Sequence, residues 1–334
     1  MQFERVGYSM ALNSATAIAH PNIAFIKYWG NRDDSLRLPV NSSISMNLDG
    51  LSAKTNVEWN DDLAADEFTL NNETQNGDSL HRVSRHLDVL RSRLGCQGKA
   101  RVVSENNFPT GAGIASSAAA FAALTAAGVA AAGGILSERE LSTIARLGSG
   151  SAARSIPAGF VEWYAADSHE DSYAQSLFPP DHWDLVDVVA VINKGHKVVG
   201  SSAGHPSAQS SPLQNARIAG AEDRITRVRE AIQERNFAEF ATVVELDSNL
   251  MHAVMMTSQP PLFYWEPASL KIMALVREWR AEGLNVCYTL DAGANVHCIC
   301  VRNDAPIVSS RLNSLSEVLT TLSANVGGGA RVLP

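Results

Sequence analysis

Cysteine is scarce in this chain and shows no paired spacing. Of 334 residues only four are cysteine, Cys96, Cys287, Cys298 and Cys300, and the nearest pair is C-x-C. That excludes the C-x-x-C sets of structural zinc sites and the even framework of a disulfide scaffold, and it predicts reduced thiols in a cytoplasmic protein. Positive charge is also in the minority: Lys and Arg number 27 against 35 Asp and Glu, a net charge of −8. Such a surface excludes nonspecific nucleic-acid binding, which needs clustered cations to displace counterions. A phosphate-bearing ligand must then be held by local geometry. Met1–Met10 contains Glu4 and Arg5 and lacks an apolar run ahead of a small-residue cleavage site, so no secretory signal is predicted. One long uncharged run exists, the 23 residues from Ile114 to Leu136. It is dominated by Ala, Gly, Ser and Thr rather than the large apolar residues that drive insertion, so it predicts a buried helix and no membrane partner.

The rest of the composition is that of a globular protein, with 45% hydrophobic and 19% charged residues. The length exceeds what a single core usually fills and favours two lobes, divided here into 1–193 and 194–334. Ala15 to Phe25 and Val40 to Leu48 read as strands, and Lys54 to Trp59 alternates as a half-buried strand does. Val83, Leu87, Leu90 and Leu94 form a helical stripe closed by Gly95, and Ser137 with Glu140 is a capping box opening a helix to about Leu147. Gly148–Ser155 and Gly195–Pro212 read as loops, and Val186 to Ile192 as a strand buried on both faces. Helices over 221–233, 238–251 and 268–282 precede strands over 286–290 and 296–301. No repeat is visible, and helices and strands alternate without a βαβ period, so the fold class is α+β.

The strongest local signal runs from Asn107 through Gly111-Ala112-Gly113 to Ala115-Ser116-Ser117: a strand exit, a glycine-containing turn and a helix of small residues. Backbone N–H groups there can face an anion while the positive end of the helix dipole points at it. Taken alone, the run equally describes tight helix packing. It lacks the Lys of a Walker A loop and the third Gly of a dinucleotide fingerprint.

Together, four stretches are more specific. The run P-T-G-A-G-I-A-S-S-A-A, residues 109–119, resembles the phosphate loop of the GHMP kinases, and with the preceding N-N-F it is similar to the mevalonate diphosphate decarboxylases in particular. Asn22-Ile23-Ala24-Phe25-Ile26-Lys27-Tyr28-Trp29-Gly30, Ser149-Gly150-Ser151-Ala152-Ala153-Arg154-Ser155 and Asp291-Ala292-Gly293-Ala294-Asn295 resemble three further family motifs in the same chain order. Ala153 stands where Cys is usual, and Ala294 where Pro is. The resemblance implies a GHMP kinase-like two-lobed fold with mixed or antiparallel sheets and packed helices.

It also implies ATP-dependent decarboxylation of phosphorylated mevalonate, with ATP and Mg²⁺ required. Asp291, Lys27 and Arg154 become the catalytic candidates, with Tyr28, Ser149, Ser151, Ser201, Ser202 and His205 on the substrate. Gly111, Ala112, Gly113, Ala115, Ser116 and Ser117 take the nucleotide phosphates. Physical chemistry agrees with these types: a lysine among aromatics acts strongly on an anion, and an arginine fork suits carboxylate or phosphate. The segment from Gly195 to His205 departs most, with His196 in place of a family Lys and His205 in place of Met. It leaves open whether the substrate carries one phosphate or two. A kinase that stops at the phospho-ester and a noncatalytic nucleotide binder are the competing readings. The sequence sets no metal ligands and no oligomeric state; dimers are common in the family, and a homodimer is the assembly the resemblance allows.

Overall fold

The structure, a computed structural model, describes residues 13–108, 114–193, 195, 200 and 204–334. The chain opens with β1 (Ser14–Ala19), β2 (Asn22–Ile26), a ribbon of β3 (Asn31–Asp33) and β4 (Leu38–Pro39), then β5 (Ser43–Asp49) and β6 (Ala53–Asn60). The strand expected over Ala15 to Phe25 is therefore two strands, parted at His20-Pro21, where proline has no N–H for a ladder. There follow β7 (Glu67–Leu70), β8 (Glu73–Thr74), α1 (Gly77–Leu94), β9 (Lys99–Asn106), α2 (Ser116–Ala131) and α3 (Glu138–Gly148). Local signals hold at these ends: Gly95 caps α1 in the left-handed conformation, φ 73°, and Ser137 and Glu140 close the capping box of α3.

One sheet has six strands in the order β16-β1-β6-β9-β7-β8, where β16 is Arg331–Val332. Only β7 and β9 pair in parallel; β1, β6 and β9 are antiparallel neighbours. Along β6, Ala53, Thr55, Val57 and Trp59 turn inward, toward a core built with α1 and α2. The small residues of α2 let it lie close on β1 and β6. At Gly128 of α2 a Cβ would stand 2.6 Å from Leu90, so α1 and α2 touch only because that side chain is absent. No described helix is long and apolar enough to cross a membrane.

The second half adds β10 (Phe160–Trp163), β11 (Ala174–Phe178), β12 (Leu185–Val191), α4 (Gln214–Ala219), α5 (Ala221–Glu234), α6 (Phe237–Thr257) and α7 (Pro267–Ala281). It ends with β13 (Val286–Thr289), β14 (Val296–Val301), α8 (Ala305–Asn313) and β15 (Thr320–Val326). These strands build an eight-stranded sheet, β11-β10-β5-β15-β12-β14-β13 with β2 beside β5. Every residue of β12 is buried, Asp187 included, in a strand otherwise apolar throughout. One face packs on α5 and α6, the other on α7 and α8. Strands from both sides of residue 193 share this sheet: β12 pairs with β14 and β15, and β15 in turn with β5. The architecture is α+β, with two sheets and their helices forming two lobes around a common seam.

Two segments read as loops are more ordered than that. Gly150–Ser155 is a 3₁₀ turn buried over most of its length, and His205–Ser210 is another. Small side chains fit the first into the seam, and hydroxyls supply its polar partners: Ser142 Oγ donates to the Ala153 carbonyl at 3.1 Å and Ser155 Oγ to that of His20 at 2.7 Å.

Candidate active site

A cavity of about 870 Å³ lies in the seam, within the range of small-molecule sites. Its wall brings together Lys27, Tyr28, Ser149, Ser151, Arg154, His205 and Asp291, along with Ala115, Ser116 and Ser117 at the start of α2. Gly111, Ala112, Gly113, Ser201, Ser202 and His196 lie outside the described residues.

Lys27 follows the last residue of β2, and Asp291 follows β13 by two residues. The fold brings the two side chains together on the cavity wall. Lys27 Nζ donates to Asp291 Oδ1 at 2.6 Å; the lysine side chain is 1% exposed and the aspartate side chain 27%. Burial pulls the Lys27 ammonium below the usual lysine range, with Asp291 and Asp247 acting against it. Burial would push Asp291 up, but Lys27, His297 and Arg154 together hold it below the usual carboxylate range. The carboxylate therefore stays ionised at neutral pH and faces the cavity as an oriented acceptor.

Arg154 sits in the 3₁₀ turn after α3. Its Nε donates to Asn22 Oδ1 at 3.2 Å and its Nη1 to Ser43 Oγ at 2.7 Å, while the guanidinium lies 5.9 Å from the Trp163 ring centre. Burial lowers it to about 10, which leaves it charged. Two neutral partners hold the fork without neutralising it, so its charge remains available to an anion.

Tyr28 stands between two rings, 4.1 Å from His205 and 4.6 Å from Trp163, and its hydroxyl donates to Asn31. The glycine of the serine turn is explained by this ring: a Cβ on Gly150 would stand 2.5 Å from Tyr28. His205 accepts from the Gly30 N–H at Nδ1, 3.0 Å, and also packs 4.6 Å from Trp29. That nitrogen is committed to the backbone.

The cavity extends past the start of α2 between the six-stranded sheet and α1. Phe68, Asn71, Ser104 and Phe121 line that end, as does Arg82, whose guanidinium lies 5.2 Å from the Phe121 ring. The Arg82 Nη2 atom is buried and has no partner among the described residues. Sequence reasoning missed Arg82 because it flanks the apolar stripe of α1 and reads as a solvated helix position. Behind the ion pair, His297 Nδ1 lies 2.6 Å from Asp187 Oδ2, both buried within adjacent strands β14 and β12. Alternating strand positions gave no sign of that pair. Among the described residues no group of three or more His, Cys, Asp or Glu could hold a metal ion.

A cavity whose one end carries a Lys–Asp pair and an arginine, and whose other end opens at a helix N-terminus, defines a phosphoryl-transfer class of site. Comparison with known proteins narrows the class. Residues 19–174 match the family model of the diphosphomevalonate decarboxylase-like N-terminal domain, and residues 187–329 that of the mevalonate 5-diphosphate decarboxylase C-terminal domain. The chain belongs to the diphosphomevalonate decarboxylase family. It is 38% identical over 323 residues to a diphosphomevalonate decarboxylase of Aspergillus fumigatus, covering 90% of this chain and 80% of that one. The mevalonate diphosphate decarboxylase of Staphylococcus aureus superposes with a TM-score of 0.92 at 37% identity, covering 96% of this chain and 98% of that one. A further structure, MDDEF in complex with MVAPP, AMPPCP and magnesium, superposes with a TM-score of 0.90 at 36% identity and the same coverage.

Proposed function

We propose that this protein catalyses the ATP-dependent decarboxylation of mevalonate 5-diphosphate to isopentenyl diphosphate, releasing ADP, phosphate and CO₂. The observation that carries the reading is the 2.6 Å Lys27–Asp291 pair with Arg154 on one cavity wall, in a chain whose two halves match both domains of the family. We assign Tyr28, Ser149, Ser151, Ser201, Ser202 and His205 to the mevalonyl substrate. Gly111, Ala112, Gly113, Ala115, Ser116 and Ser117 go to the ATP phosphates, and Arg82 with Phe68 and Phe121 to the far end of the nucleotide. The lobes are assigned as 1–193 and 194–334, with strands crossing that division in both sheets.

The C3 hydroxyl of the substrate is tertiary and leaves poorly, so it must first become a phosphate ester. Asp291 accepts the hydrogen bond of that hydroxyl and aims its oxygen at the γ-phosphorus of ATP. A carboxylate held below its usual range is a weak base, so orientation rather than early proton removal is its main contribution, as suits a loose phosphoryl transfer. In the second step the C3–O bond breaks with departure of phosphate, the C1–C2 bond breaks to release CO₂, and its electron pair becomes the C2=C3 alkene. Lys27 and Arg154 hold the carboxylate and phosphates close despite their mutual repulsion. A magnesium ion, carried by the solved relative with MVAPP and AMPPCP, would be held here through the nucleotide phosphates beside Ser116 and Ser117. It supplies neutralisation of developing phosphate charge.

His205 carries a structural duty at Gly30 and packs against Tyr28 and Trp29. This favours the family's diphosphate over the monophosphate that a phosphate-gripping histidine would suit. The four unpaired cysteines support a cytoplasmic setting. A coupled ADP-release assay comparing mevalonate, its 5-phosphate and its 5-diphosphate tests the assignment. Turnover should be highest by kcat/KM with the diphosphate; ADP release independent of all three compounds would reject it.

A further inference from the structure

Between β2 and β3 the chain runs through Lys27-Tyr28-Trp29-Gly30 outside either sheet. Lys27 and Trp29 are each 1% exposed, and a buried backbone of this kind must find hydrogen-bond partners. Here side chains supply most of them. The Lys27 N–H donates to Asp247 Oδ2 at 2.6 Å. The Lys27 carbonyl accepts from Arg217 Nη2 at 2.6 Å and Asn41 Nδ2 at 3.1 Å, and the Trp29 carbonyl from Gln214 at 2.9 Å and Arg217 Nη1 at 3.2 Å. The ring closes on itself: Arg224 Nε donates to Asp247 Oδ1 at 2.7 Å, and its Nη2 to the Arg217 carbonyl at 2.7 Å.

Asp247, Arg217 and Arg224 are 0%, 2% and 5% exposed, and none lines the cavity. Burying such charges is unfavourable unless each is paired, and neutral groups could satisfy the same backbone atoms at less cost. What the charged ring adds is geometry. On α6 the neighbour of Asp247 is Ser248, whose Oγ accepts from the Leu290 N–H at 3.0 Å. Two successive residues of one helix thus hold the backbone at Lys27 and the backbone next to Asp291.

We propose that Asp247, Ser248 and Arg217 are positioning residues of the active site, registering the Lys27 ammonium and the Asp291 carboxylate against each other from α6 and α4. The inference rests on the reading of Lys27 as a substrate-facing cation. Tight buried geometry matters because a displacement of about 1 Å at such a group costs on the order of a hundredfold in rate.

The test is a double-mutant cycle on the dissociation constant of mevalonate 5-diphosphate, measured by titration calorimetry on variants shown by thermal melting to be folded. Lys27→Met alone should weaken binding about tenfold or more, the loss expected of a charge-assisted contact. Arg217→Lys keeps the charge but has a single nitrogen in place of the two that now reach the Lys27 and Trp29 carbonyls; it should weaken binding about tenfold in the native background and less than about twofold when combined with Lys27→Met. No loss from Lys27→Met overturns the reading of Lys27 itself. With that loss present, an equal Arg217→Lys effect in both backgrounds, or none in either, overturns the positioning role. Ser248→Ala removes one buried hydroxyl and leaves the charged ring whole, so it serves if Arg217→Lys does not fold. It should lower kcat about two- to tenfold with ATP affinity unchanged; an unchanged kcat overturns the registry through α6.

Discussion

Asp291 is the residue on which most depends. Its carboxylate is ionised, oriented by Lys27 at 2.6 Å and open to the cavity, so under the proposed assignment Asp291→Asn removes the acceptor for the C3 hydroxyl and touches none of the residues assigned to ATP. Turnover should fall by at least about a hundredfold, the lower end for a positioned acid–base group, with ATP affinity within a few-fold of the native value. Steady-state kinetics and a nucleotide titration measure the two. Lys27, Arg154 and Asp291 were readable in the sequence because each stands in a short contiguous run. Their partners were not. Asp247 holds the Lys27 N–H from 220 positions away and Ser43 holds Arg154 from 111, and nothing in one sequence marks such pairs until the chain is folded.

Among the elements, α3 and the turn after it show how close packing sets composition. A Cβ on Gly148, the last residue of α3, would stand 2.1 Å from the ring of Phe121 on α2. Gly148→Ala should therefore destabilise the fold by about 1–3 kcal/mol, as overpacking does, read as a lowered denaturant midpoint with the slope unchanged. Because Phe121 lines the end of the cavity proposed for the nucleotide, ATP affinity should drop while affinity for phosphorylated mevalonate holds. Helix ends were legible where their chemistry is local, as at Gly95 and at Ser137 with Glu140. The strands β10 and β11 were not, because they are short and pair with each other and with β5 more than a hundred residues away. The turn Gly150–Ser155 read as a loop because its burial depends on Tyr28 and His20, both more than a hundred residues earlier in the chain.

At the scale of the molecule, β12 and β14 carry a buried pair into the centre of the larger sheet. Burial disfavours the charged form of His297, but the Asp187 carboxylate at 2.6 Å, with the Asp291 charge beyond it, raises the imidazole above its usual range. A raised pKa contributes stability that is complete below the unfolded value of about 6.5 and is lost as pH rises through the folded one. Thermal stability should decline as pH rises above about 6.5, and in His297→Gln that part of the decline should flatten; an unchanged slope would assign it to other groups. The α+β class could be read from the order of elements, and the two-lobed plan from chain length and the family resemblance. The sharing of one sheet by strands from both sides of residue 193 could not, since that pairing is settled by which apolar faces meet.

The central claim is that one cavity both phosphorylates the substrate and expels its carboxylate. The most direct measurement is the ratio of CO₂ to ADP released from mevalonate 5-diphosphate labelled at the carboxyl carbon, followed through several turnovers. The account predicts one CO₂ for each ADP in the native enzyme and loss of both together in Asp291→Asn. ADP release with a phospho-ester accumulating and no labelled CO₂ would contradict it, leaving a small-molecule kinase in this fold.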